Sequence, residues 1–275
     1  MSRVFMATDL ALGRQVVVKV LPPELAAGVN LERFRREIQL AAQLQHPHIV
    51  PLLSAGEHGE LLYYTMPFIE GESLRDRLNR EKQLPLDDAL RIAREAAEAL
   101  DYAHRHGVVH RDIKPDNVLL SEGHALVADF GIARALTPDG QQNLTESGTS
   151  IGTAAYMSPE QAAGERDLDA RSDIYSLATV LYEMLAGQTP FTAATPQAMI
   201  ARRFTETPKP LDEVRDIVPH AIAQVVQKAL ARTPACIAAR CVRCWPAVAA
   251  SGSTSARRSP PTPRTRKACR SCSAS

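Results

Sequence analysis

Two acidic side chains, Asp112 and Asp129, stand among the residue types that phosphoryl chemistry needs. Asp112 lies within His110-Arg111-Asp112-Ile113-Lys114-Pro115-Asp116-Asn117, and Asp129 opens Asp129-Phe130-Gly131 seventeen residues later. At this spacing Asp112 would accept the proton of an attacking hydroxyl, and Lys114 would steady an anionic group in flight. Asn117 and Asp129 would hold a magnesium ion through hard oxygen donors. Taken alone, D-F-G reads as an ordinary loop acid. Behind H-R-D-x-K-x-x-N it becomes specific, because each fixed residue type has its own task.

These loops need elements to hold them. Val4-Phe5-Met6-Ala7, a turn at Leu12-Gly13-Arg14 and Val16-Val17-Val18-Lys19-Val20 read as a β-hairpin. Lys19 interrupts an apolar strand, where an unpaired ammonium is costly; it either snorkels to solvent or meets a carboxylate and a phosphate. Asn30 suits the N-cap of a helix over 31–44, with Phe34, Ile38, Ala41 and Leu44 at helical spacing. Glu37 lies in that helix and by itself reads as a solvated charge. His46 and His48 have no cysteine or carboxylate cluster around them, so they are not expected to bind metal. Residues 61–66 read as a strand. From Ser73 the pattern turns helical. Asp87 and Asp88 open a long helix with Ala89, Leu90, Ala93, Ala97, Leu100 and Ala103 on one face, ending at His106-Gly107. That helix leads into the H-R-D loop. Short strands over 118–120 and 125–127, turning at Glu122-Gly123, deliver Asp129. Further helices are expected over 172–186, 197–204 and 221–231.

The 110–117 segment resembles the catalytic loop of the protein kinase family, and other motifs follow in the family's order. V-V-V-K at 16–19 with Glu37 resembles the strand lysine and helix glutamate whose ion pair aims the lysine at the α- and β-phosphates of ATP. Met66-Pro67-Phe68-Ile69-Glu70-Gly71 resembles the hinge between the lobes, with the backbone of Pro67 and Ile69 meeting adenine and Met66 as gatekeeper. Val4, Val17 and Leu119 join the nucleotide site by the same resemblance. It implies that Asp112 is the base, Lys114 the phosphate stabiliser, and Asn117 and Asp129 the ligands of Mg2+ or Mn2+. His110 would pack the floor of the site, Phe130, followed by Gly131, would pack beneath the helix that bears Glu37, and buried Asp173 would hold the catalytic-loop backbone. The implied fold is α+β and bilobal. A small β-rich lobe with one helix would cover about 1–67, and a larger helical lobe about 71–235, with ATP between them.

Residues 135–151 are polar and carry Thr145, Ser147, Thr149 and Ser150. Thr145 and Ser147 resemble the sites phosphorylated in bacterial kinases, and Thr149 is a further candidate. Arg111, directly before Asp112, implies activation by a phosphate on this loop, attached by autophosphorylation in a homodimer. The run from Gly152 to Ala162 resembles the G-T-x-x-Y-x-[AS]-P-E segment of eukaryotic-like bacterial Ser/Thr kinases. There Thr153 would touch Asp112 and Lys114, while Glu160 would be buried. Lys114, two residues after the base, also belongs to the Ser/Thr class. The implied activity is transfer of the ATP γ-phosphoryl to Ser or Thr hydroxyls of proteins, in signal transduction.

The chain departs from the family in three places. Ser2-Arg3-Val4-Phe5 fits only the end of the phosphate-covering Gly-rich loop, whose first strand and leading glycines would precede Met1. Without that lid, ATP should bind more weakly. Val17 stands where the family usually has Ala, which adds two methyl groups beside adenine. After Ala235 the match stops, and the arginine expected at Ile237 to pair with Glu160 is missing. Residues 236–275 hold all five cysteines, seven Arg and one Lys without an acid, leaving the body with 24 basic against 31 acidic side chains. Cys241-x-x-Cys244 and Cys269-x-x-Cys272 suggest a zinc ribbon, but their 24-residue spacer is long and lacks strand pattern. A shifted reading frame or a disordered basic tail is the reading preferred. The acidic body gives no reason to expect nucleic-acid binding, and its lack of cysteine fits a reducing cytoplasm. No apolar run is long enough to span a membrane. The alternative to a working kinase is a catalytically impaired kinase-like module that binds nucleotide or partner proteins.

Overall fold

Side-chain alternation makes a hairpin of β1 (Arg3–Asp9) and β2 (Arg14–Val20), with Val4 opposite Lys19 and Met6 opposite Val17. The computed structural model describes residues 3–21, 31–59, 61–130, 154–165 and 167–232. Ser2, Asn30, Gly131, Thr145, Ser147, Thr149, Ser150, Thr153 and the cysteine-rich tail lie outside them, with the expectations placed on them. β3 (Ser54–His58) and β4 (Leu61–Pro67) complete an antiparallel sheet in the order β1-β2-β4-β3. In β4, Leu62, Tyr64 and Met66 are buried while their neighbours are not, the period-2 signature of a strand with one face on a core. Helix α1 (Leu31–Ala42) covers that face with Phe34 and Ile38. It stops two residues short of the expected end. The amides of Gln43 and Leu44 bond the carbonyls three residues back, tightening the last turn before Pro47.

The chain then enters a mainly helical part through β5 (Glu72–Ser73), α2 (Leu74–Glu81) and α3 (Leu86–Arg105). A Cβ on Gly71 would lie 2.0 Å from the Leu120 carbonyl oxygen, so the approach of β5 to β6 (Val118–Ser121) admits only glycine there. β7 (His124–Val127) completes the small sheet β5-β6-β7. The remaining helices are α4 (Pro159–Ala162), α5 (Ala170–Ala186), α6 (Pro196–Thr205), α7 (Leu211–Val214) and α8 (His220–Ala229). Residues 172–186 of α5 are all buried, with Asp173 and Glu183 among them. Its ends are closed by the Asp169 carboxylate on the Arg171 amide and by Gly187 in the left-handed conformation.

Two apolar clusters result. The smaller joins the four-stranded sheet to α1 and includes Ala128; the larger surrounds α3 and α5 and includes Phe130. Backbone bonds lace one to the other. Val127 donates to His48 and accepts from Val50, both at 2.9 Å. Ile49 thus turns its side chain into the large core and Val50 into the small one. Among the described residues, no helix is long and apolar enough to cross a membrane.

Candidate active site

The loop after α3 converges on Asp112. Lys114 Nζ lies 2.7 Å from Asp112 Oδ2, and Asn117 Nδ2 donates to the same oxygen at 3.1 Å and to the Asp112 carbonyl at 2.8 Å. The Asp112 side chain remains 31% exposed, so its carboxylate is both oriented and reachable. His110 beneath it is fully buried and bonded at both ring nitrogens. Nε2 lies 2.8 Å from the Ala128 carbonyl, while Nδ1 accepts from the Asp112 amide at 3.2 Å. These partners require the neutral tautomer with its proton on Nε2. The Ala128 amide in turn donates to the Asn117 carbonyl at 2.9 Å. The loops bearing Asp112 and Asp129 are therefore fastened to each other directly. Phe130 meets the His110 ring edge-on, at 4.7 Å between centroids.

A second carboxylate, on α5, holds the loop from below. Asp173 accepts from the amides of His110 and Arg111 at 2.8 and 2.7 Å, and from His104 Nε2 at 2.7 Å. Burial by itself would raise its pKa. The hydrogen bonds and charge of His104, with His110 and the Arg111 amide, outweigh that and hold it below the usual carboxylate value. Arg111 and Asp129 both have left-handed backbones, with φ of 70° and 68°. Such geometry costs about 1–3 kcal/mol per residue and survives only where surroundings enforce it. At Arg111 the enforcers are Asp173 on its amide and Gln161 Nε2, which donates to its carbonyl at 2.7 Å.

Asp129 projects toward the upper sheet, its side chain 15% exposed. Lys19 on β2 forms an ion pair with its Oδ2, and the Tyr64 hydroxyl on β4 donates to Oδ1 at 3.0 Å. Burial first, and then the Asp129 charge, push the Tyr64 pKa up, so the phenol stays a donor. Glu37 is half-buried on α1. A cleft opens here, lined among others by Ala41, Tyr64, Met66, Asp129 and Phe130. Cross-strand register aligns Val4, Lys19 and Tyr64 in one row, and Met6, Val17 and Met66 in the next. Pro67 pairs with Val16 at the sheet's end; Ile69 and Leu119 pack against the small core.

On the other side of Asp112, residues 154–162 lie against α5 and α6. Ser158 and Gln161 form a reciprocal cap that starts α4. Glu160 is buried, and Ser172 Oγ donates to it at 2.6 Å. This hydroxyl gives the carboxylate a partner other than the arginine expected at Ile237. Tyr156 donates to Glu183, which also accepts from Arg75 on α2 at 2.9 Å. Arg203 of α6 reaches the carbonyls of Ala154 and Ala155 at 2.9 and 3.0 Å. Sequence reasoning passed over Tyr64, His104, Gln161 and Ser172. Only Tyr64 left a trace, two residues before Met66 on the same strand face.

The oxygen chemistry of the site fits a hard divalent cation. Asn117 spends its amide nitrogen on Asp112, which turns the carbonyl corner of the amide away from that contact. Its oxygen and the Asp129 carboxylate are hard donors of the kind a divalent cation such as Mg2+ would take, unlike the ligands softer metals select. No cluster of three or more histidine, cysteine or acidic residues suited to holding a metal occurs among the described residues, and the tail cysteines lie outside them.

The model of the protein kinase domain family matches residues 1–236. The serine/threonine-protein kinase PknB of Mycolicibacterium smegmatis is 44% identical over 240 residues, which are 85% of this chain and 38% of the relative. PknB of Mycobacterium tuberculosis is 42% identical over the same length and shares. A probable serine/threonine-protein kinase of Streptomyces coelicolor is 41% identical over 240 residues, 85% of this chain and 35% of the relative. The chain thus spans little more than a third of the length of these relatives. The family match runs from the four-stranded sheet to the last described helix, and on it the chain belongs to the protein kinase family, in its bacterial serine/threonine group.

Proposed function

We propose that this chain transfers the γ-phosphoryl group of ATP to Ser or Thr hydroxyls of proteins. The observation that carries the reading is the Asp112 carboxylate, aimed by Lys114 and Asn117 and fastened to the loop of Asp129. Asp112 takes the proton of the acceptor hydroxyl as that oxygen bonds the γ-phosphorus, and the bond from that phosphorus to the β–γ bridging oxygen breaks to release ADP. Lys114, beside Asp112, meets the negative charge of the group in transit. Lys19, aided by Glu37, turns to the nucleotide phosphates, and Asn117 with Asp129 holds the divalent cation. The cation, when bound, neutralises phosphate charge. Adenine lies among Val4, Val17, Met66, Leu119 and the backbone of Pro67 and Ile69. Thr153 steadies Asp112 and Lys114, and Arg111 receives a phosphate placed on Thr145, Ser147 or Thr149 by a second copy of the chain.

The test is transfer of label from Mg-ATP to the chain itself and to a basic protein substrate. Asp112→Asn is expected to lower turnover about 10²–10⁴-fold, the usual contribution of a positioned base. Equal turnover in the variant would remove Asp112 from that role. Nucleotide binding without turnover in the unaltered chain would leave a nucleotide-binding module instead.

A further inference from the structure

Lys19 and Tyr64 are direct cross-strand partners on β2 and β4. Their side chains therefore leave the sheet on one face, a single strand spacing apart. Both end on the same carboxylate, Lys19 at Oδ2 and Tyr64 at Oδ1 of Asp129. The two donors differ in how firmly they are rooted. The Tyr64 ring is 4% exposed within the small core, and its strand is paired on both sides, with Lys19 of β2 and Ala55 of β3. The Lys19 ammonium ends a flexible four-carbon stem and is free to swing toward a phosphate. Asp129 itself sits at a strained φ of 68°, so its direction depends on what grips its side chain.

We infer that Tyr64 is a positioning residue for Asp129, a fixed neutral donor that keeps Oδ1 in place and presents Oδ2 to the divalent cation of the bound nucleotide. This rests on the reading of Asp129 as a cation ligand. A phenol suits the task where a second lysine would not, because it orients the carboxylate without adding a charge that repels the cation. Phenylalanine would fill nearly the same volume and lose only the hydroxyl.

The experiment measures ATP affinity of the full chain by calorimetry, once with Mg2+ and once with a chelator. The ratio of the two is the metal enhancement. Asp129→Asn is expected to abolish the enhancement. Tyr64→Phe is expected to reduce it about tenfold, the scale of one hydrogen bond to a charged acceptor, with metal-free affinity unchanged. An enhancement unchanged in Tyr64→Phe, or enlarged, would overturn the inference while leaving Asp129 a ligand. A parallel loss of both affinities would also overturn it, since that is the mark of a packing role alone. No enhancement in the unaltered chain would fell the underlying assignment of Asp129, and this inference with it.

Discussion

Asp112 illustrates how firmly a carboxylate within reach of solvent is held by its neighbours. Its carboxylate is gripped by Lys114 and Asn117, its amide by His110, and His110 by Asp173 through the backbone. Asp173 is fully buried, and its described hydrogen bonds, from His104 and from the His110 and Arg111 amides, are all charge-assisted. Replacing it with alanine is expected to destabilise the fold by about 3–5 kcal/mol, because the His110 and Arg111 amides lose their acceptor. Urea unfolding of the variant measures this. Turnover should fall along with stability, since the strained Arg111 backbone loses one of its two restraints. Lys114→Ala makes a useful contrast. It is expected to cut turnover with little change in melting temperature, because the Asp112 carboxylate it leaves behind stays within reach of solvent and bonded to Asn117.

At the scale of elements, two helices do the positioning. Helix α2 begins where Ser73 and Asp76 cap each other, the Ser73 hydroxyl accepting from the Asp76 amide at 3.1 Å. Ser73→Ala is expected to cost about 1 kcal/mol, visible as a lower urea midpoint with an unchanged slope. Helix α5 is the post on which the large lobe is built. Met184 on it is fully buried, and Met184→Ala is expected to cost about 2–5 kcal/mol through lost burial and a residual cavity. The same denaturation series distinguishes these two effects by size. The upper sheet works differently. Its register brings Lys19 and Tyr64 to one carboxylate, so a one-residue slip of either strand would turn that strand's side chain away from Asp129.

Across the whole molecule, the sheet-rich and helical parts meet through a thin seam of backbone bonds at His48, Val50 and Val127, with the cleft beside it. Acid should open the molecule from below that seam. The Asp173 pKa lies below its ordinary value of 3.8, so its stabilisation is complete above that pH and is lost as pH falls through the lower folded-state value. In unfolding experiments below pH 3.8, the gap in stability between the unaltered chain and Asp173→Asn should therefore narrow as pH falls. A gap that widened below pH 3.8 would reverse the sign and contradict the network around His104.

The residues proposed to carry the chemistry were picked out in the sequence because each is specified by type and local spacing. Asp112, Lys114 and Asn117 fall within one short loop, and Asp129 follows on the next hairpin. The elements were legible for a similar reason: helical and strand periods are local, so the apolar face of α3 and the β1–β2 hairpin came out nearly where they stand. Tertiary structure alone decided the partners. That Lys19 and Tyr64 share Asp129, that Ser172 serves Glu160, and that His104 reaches Asp173 all depend on strand register and helix rotation between distant segments. A side chain's type limits what it is able to bond, but which group lies within 3 Å of it is settled only when the cores close and the buried polar atoms must find acceptors.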